Sequence, residues 1–125
     1  MKLNPKLIED TGWKTATLTS DFAPYQNQTR YTPKYRKIGN IVNITGVITP
    51  TTTLSTTGDQ LIFSIPPEYA PNLEVRTICQ GSGMNRWMLS VFNTGNVVMS
   101  RYGINSQDNI TSGTWLPFSV VYFID

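Results

Sequence analysis

A chain of 125 residues has the size of one domain and can bury roughly 65 % of its unfolded surface, so it needs no disulfide framework to hold a core. Cys79 is the lone cysteine, which excludes an intrachain disulfide and fits assembly in a reducing cytosol. The absence of histidine removes the usual general base, the usual zinc ligand and any serine–histidine dyad. Ten basic residues against eight acidic ones leave +2, too small an excess to indicate nucleic acid or a membrane surface as partner, and no apolar run approaches the roughly 20 residues of a spanning helix.

Residues 1–12 predict an extended lead-in, because Pro5 opposes a long helix. The start, "MKLNPKLIED", has neither the apolar stretch nor the small-residue cleavage site of a secretory signal. A first strand is predicted over 13–19, with Trp13, Thr15 and Thr17 on one face and Ala16 and Leu18 on the other. "SDFAPYQNQ" reads as loop, punctuated by Pro24 and the Asn/Gln cluster. "TRYTPKYRKIG" follows as an edge strand, since Pro33 lacks the donor that a central ladder position requires. "NIVNITGVIT", residues 40–49, is the clearest strand: Val42, Ile44 and Ile48 keep the two-residue period, and a helix would carry Gly46 and a β-branched run in its interior.

"PTTTLSTTGD" is a polar loop with a turn at Gly58-Asp59. "QLIFSI", residues 60–65, is a continuous apolar strand stopped by Pro66-Pro67. A strand over "EVRTICQG" runs into the glycine turn "GSGMN". "RWMLSVF" and "NVVMSRYG" then form a hairpin joined by Asn93-Thr94-Gly95, where glycine supplies the positive φ such a connection needs. "INSQDNITSGT" is another polar loop, and "WLPFSVVYFI" ends the chain as a mostly apolar strand that needs cover on both faces. Short strands punctuated by Gly and Pro point to an all-β sandwich or barrel, in one domain without internal repeats.

Catalytic chemistry finds little support. The eight carboxylates are scattered through loops and strand ends, whereas a glycosidase needs two across one cleft. Cys79 has no histidine to activate it and reads as a small buried hydrophobe. "GSGMNR" lacks the lysine and the strand–loop–helix setting of a phosphate loop and reads as a turn. No cofactor and no metal are implied, and the chain reads as a non-enzyme.

A binding role fits better. The polar surface is mostly Thr, Ser, Asn and Gln, which suits sugar hydroxyls and equally suits ordinary sheet faces. Trp87 stands beside Arg86 just after the glycine turn, and Arg101-Tyr102 lies at the far end of the paired strand. The adjoining "NSQDN" adds Asn105 and Asp108. Sugar rings stack apolar C–H faces on aromatic rings while Arg, Asp and Asn bond their hydroxyls, so these six residues form the candidate saccharide site. Trp13 and Trp115 are assigned to the core.

The succession "W…L…F", "YRKIGNIVNITGVI", "FSIPPEYAP", "RWMLSVFNTGNVVMSRYG" and terminal "YFID" resembles the receptor-binding protein heads in the tails and baseplates of lactococcal and related Gram-positive siphophages. The resemblance spans residues 13–125, and "IPPEYAP" is its most specific piece. It implies a small antiparallel β-barrel or jelly-roll head, residues 13–125, following a stem or linker remnant over 1–12. It also implies a homotrimer at the distal tail of a virion that contacts other baseplate proteins and adheres to a host cell-surface polysaccharide without cutting it. Family members use a Trp with His, Asp and Arg or Gln near subunit boundaries. Trp87 is the residue that matches, while "MLSVFN" stands where the family has its His and Asp. Arg86, Arg101, Tyr102, Asn105 and Asp108 enter by physical type. A scaffold module contacting other virion proteins is the alternative, and a depolymerase with a carboxylate pair across a trimer boundary is a third.

Overall fold

In a computed structural model, which describes residues 9–124, the chain forms two antiparallel sheets, with no α-helix among those residues. The strands are β1 (Lys14–Thr15), β2 (Phe22–Pro24), β3 (Lys34–Ile38), β4 (Ile41–Pro50), β5 (Gln60–Ser64), β6 (Val75–Gln80), β7 (Arg86–Val91), β8 (Asn96–Ser100) and β9 (Leu116–Phe123). The all-β, antiparallel class read from the periodicity is what the chain adopts, as two sheets curled into a half-barrel.

The segment with the strongest period, β4, organises the first sheet. One of its edges pairs with β9 from Ile41 to Ile48. The other is shared end to end by β3, against Ile41–Thr45, and β2, against Ile48–Pro50. β1 adds outside β3. The second sheet runs β5-β8-β7-β6. Alternation then decides burial: Val42, Ile44 and Ile48 of β4 and Leu116, Phe118, Val120 and Tyr122 of β9 face Phe63, Trp87, Leu89, Val97 and Met99 of the second sheet. On one side the chain itself joins the sheets, where Thr19 donates its N–H to the Ile62 carbonyl at 2.9 Å and its hydroxyl to the Leu61 carbonyl at 2.8 Å. On the other, β6 and β9 flank an open groove of about 650 Å³.

Several boundaries differ from the sequence reading. The strand predicted over 13–19 pairs only at Lys14–Thr15, because the chain then crosses to β5. Of the two faces separated from sequence, the one with Ala16 and Leu18 is inward: Ala16 is buried and Leu18 packs on the core. The edge strand predicted through Pro33 begins after it, and Thr29–Tyr31 forms a 3₁₀ turn. Phe22–Pro24, read as loop, pairs with β4; Pro24 is tolerated because it sits at the end of a strand with a partner on one side. The uninterrupted apolar run of β5 is explained by a bulge between Leu61 and Phe63, which sends both Ile62 and Phe63 into the core and leaves Leu61 partly outside. The hairpin is as predicted: Gly95 has φ +93°, and a Cβ there would fall 2.2 Å from the Ile65 carbonyl oxygen.

Among the described residues, the terminal strand is not covered on both faces. Val121 and Phe123 point away from the core beside Ile38, Ile41 and Trp13, and Phe123 is 70 % exposed. Most of the predicted lead-in lies outside the described residues. Its last part is tied to β3: the Glu9 carbonyl accepts from Gly39 N–H at 2.7 Å, and Asp10 bridges to Ile38.

Candidate functional site

The turn after β8 builds the site. Arg101 adopts a left-handed conformation, φ 58°, which ends the strand three residues before the predicted stop and turns Tyr102 into the core. Buried Thr56 clips the loop that follows: its hydroxyl donates to the Asp108 carbonyl at 2.7 Å and accepts from Tyr102 N–H at 3.3 Å. Asp108 N–H donates back to the Tyr102 carbonyl at 2.9 Å, and Gly103 N–H donates to the Arg86 carbonyl at 2.8 Å. The loop is thereby pinned to the end of β7, and Arg86 and Arg101 come to one place.

Between them lies a hollow of about 220 Å³ on the outer face of the second sheet, walled by Ile78, Met88, Arg86, Arg101 and Ser106, with Gly103 and Trp87 completing its lining. Ile78 and Met88 are cross-strand partners, so their side chains share the outer face and provide an apolar floor. Among the described residues the ion pairs join Asp10 to Arg36 and Glu74 to Arg76, which leaves both guanidiniums of the hollow without an acidic partner. No group of three or more His, Cys, Asp or Glu among the described residues is arranged to hold a metal ion.

The six residues selected from sequence are divided by the fold. Arg86 and Arg101 meet in the hollow as solvent-exposed donors. Trp87 requires correction as a stacking platform: it is 1 % exposed, packed edge-on against Phe118, and its indole N–H has no acceptor among the described residues. Its neighbours Arg86 and Met88 face outward, so the alternation of β7 sends the indole inward. Tyr102 is corrected likewise. It is buried in the core cluster with its hydroxyl bonded to Asn85, and burial raises its pKa. Asn105 is exposed on the loop but does not line the hollow. The Asp108 carboxylate lies against Gly103, where its Oδ2 would be 2.2 Å from an added Cβ, so only glycine fits and the acid stays outside the lining.

The assignment of Trp13 and Trp115 to the core is also corrected, since both are about two-fifths exposed. Trp13 is occupied, with Lys34 Nζ 4.8 Å and the Arg36 guanidinium 5.7 Å from its ring centre. Sequence reasoning missed Ile78, Met88 and Ser106. The first two carry a signal, an apolar residue on the solvent parity of each of two adjacent strands, and Ser106 carries none. Cys79 is half-buried against the core, and burial pushes its thiol up to about 11, in keeping with the inert role read for it.

Compared with known proteins, the chain matches no family model and no curated protein sequence.

Proposed function

We propose that this domain is a non-catalytic adhesion module, the head of a phage receptor-binding protein, and that it holds a bacterial cell-wall saccharide in the hollow between Arg86 and Arg101. The observation that carries the reading is the pair of guanidiniums without acidic partners among the described residues, above the apolar floor of Ile78 and Met88. A guanidinium presents planar forked donors that match vicinal hydroxyls, carboxylates and phosphates, and an apolar floor accepts the C–H face of a sugar ring. The missing aromatic platform moves the emphasis from stacking to charge-assisted hydrogen bonds, which favours a saccharide bearing acidic groups. The lining offers donors and no carboxylate pair, which supports holding over hydrolysis.

A shallow site of this kind binds weakly alone. Three copies in a homotrimer, with many heads on one virion, would raise the effective concentration enough for adhesion. The test is a pull-down of host cell-wall polysaccharide with the parent and with Arg86→Ala/Arg101→Ala. Loss of capture in the double variant, with no new reducing ends produced by the parent, is expected; capture equal to the parent's overturns the assignment.

A scaffold role has one observation in its favour. Trp13, Ile38, Ile41, Val121 and Phe123 form an exposed apolar patch on the outer face of the first sheet, suited to contact with another copy or another virion protein. A glycan array blank for the parent, together with capture of baseplate proteins, would select that reading.

A further inference from the structure

We propose that a second hollow, on the outer face of the first sheet where β2 meets the end of β4, binds an uncharged polyhydroxylated ligand, a neutral pyranose being the class that fits. It measures about 410 Å³, with Tyr25, Gln26 and Asn27 on one side, Ser112 and Gly113 on the other and Thr49 in its wall. None of its lining side chains carries a charge, so it offers nothing to select an anion or a cation. This site shares no residue with the Arg86–Arg101 hollow and lies on the other sheet.

Thr49 is the decisive residue. It pairs with Ala23 and lies between Ile48 and Pro50, on the parity of β4 that faces away from the core. The residue is nevertheless only 9 % exposed, and its hydroxyl has no hydrogen-bond partner among the described residues. A buried hydroxyl left unpaired destabilises a fold, and valine would fill the same volume without that penalty. A turn of the Thr49 side chain about its Cα–Cβ bond would bring this hydroxyl to the hollow, where a ligand hydroxyl supplies the missing partner.

The rim is built for the same chemistry. Gln26 and Asn27 both have φ 54°, two successive non-glycine residues in the left-handed region, in a turn closed by Gln28 N–H donating to the Tyr25 carbonyl at 3.1 Å. Gln26 Oε1 accepts from Gln28 Nε2 at 3.3 Å, which leaves Gln26 Nε2 free to donate. The Tyr25 ring is held edge-on by Tyr31, centroids 5.8 Å apart, and with Ala23 and Pro50 it supplies apolar surface for a C–H face. Amide and hydroxyl groups around an apolar wall, with no charge, complement the alternating hydroxyl and C–H surface of a neutral sugar.

The test is an amide chemical-shift titration of the ¹⁵N-labelled chain with methyl glucopyranoside, methyl galactopyranoside and N-acetylglucosamine. Saturable shifts at Gln26, Asn27, Thr51 and Gly113 with at least one of them are expected, and absence of such shifts with all three overturns the proposal. Thr49→Val should melt no lower than the parent yet bind about fivefold or more weakly, the loss expected for one hydrogen bond. Gln26→Gly removes the donor while relieving the left-handed strain, and so keeps the test decisive if Thr49→Val folds poorly; parent-like affinity in a folded variant of either kind refutes the site. Arg86→Ala/Arg101→Ala should leave these shifts unchanged, so a failure of the arginine hollow and a failure of this site are read separately. Their abolition in that variant would refute an independent site.

Discussion

The indole of Trp87, on β7, meets the ring of Phe118, on β9, edge to face, with centroids 6.1 Å apart and planes at 83°. Phe63 of β5, in the same sheet as Trp87, also packs against Phe118, with ring centroids 6.4 Å apart. These contacts join the two sheets at the centre of the core, and they make Trp87 a residue of stability. Trp87→Ala should therefore lower unfolding free energy by about 3–5 kcal/mol, the usual cost of removing a large buried aromatic. Trp87→Phe should cost much less, since it also removes an indole N–H that has no acceptor. Urea denaturation decides between the two roles. A Trp87→Ala midpoint equal to the parent's would be incompatible with a core position.

Arg86 and Arg101 predict the opposite behaviour. Both are exposed and form no ion pair among the described residues, so their replacement by alanine should shift stability by no more than about 0.5 kcal/mol. Saccharide capture by the parent should weaken as salt rises, because exposed charges are screened over about 10 Å at 0.1 M ionic strength. Binding indifferent to salt between about 0.05 and 0.5 M would remove the charge-assisted mechanism.

The Asp10–Arg36 pair makes a prediction about pH. Its bidentate hydrogen bonds, with help from Gly12 N–H, lower the Asp10 pKa from 3.8 to about 2. A carboxylate with a depressed folded pKa contributes its stabilisation fully above the unfolded value. That contribution is lost as pH falls through the folded value, here between about 4 and 2. A carboxyl ¹³C titration should place the Asp10 midpoint near 2 and return it towards 3.8 in Arg36→Ala. A parent midpoint near 4 would mean the clasp does not form in solution.

The uncovered face of β9 bears on assembly. If the patch around Val121 and Phe123 is a contact between copies, Val121→Glu/Phe123→Glu should convert an oligomer to a monomer without unfolding it, since both side chains project from the sheet. Light scattering at micromolar concentration is the measurement. A parent that is already monomeric would count against the homotrimer.

How far the site was legible from sequence can be traced through particular residues. Arg86 and Arg101 were selected as polar donors flanking a hairpin, and the register Met88↔Ser100 brings the two ends together. Trp87 entered the candidate site by its place beside Arg86 after the glycine turn and by the family resemblance, yet on a strand one position is the whole difference between core and solvent. Tyr102 failed for another reason: left-handed Arg101 breaks the strand period just before it. Thr49, a threonine among many, carried no sequence signal, because its exceptional property is an unmet hydrogen bond.

What the sequence determined by itself was the local part: the two-residue period of β4, the glycine hairpin at Asn93–Gly95, the proline stop after β5, and the want of any histidine-based chemistry. These follow from backbone sterics and side-chain alternation within one segment. The tertiary structure alone decided which parity of each strand faces the partner sheet, where β5 bulges, and which distant residues share a hollow. Those outcomes depend on pairing between segments up to 82 residues apart, as Phe22 with Pro50 and Ile41 with Phe123 illustrate, and no local pattern encodes them.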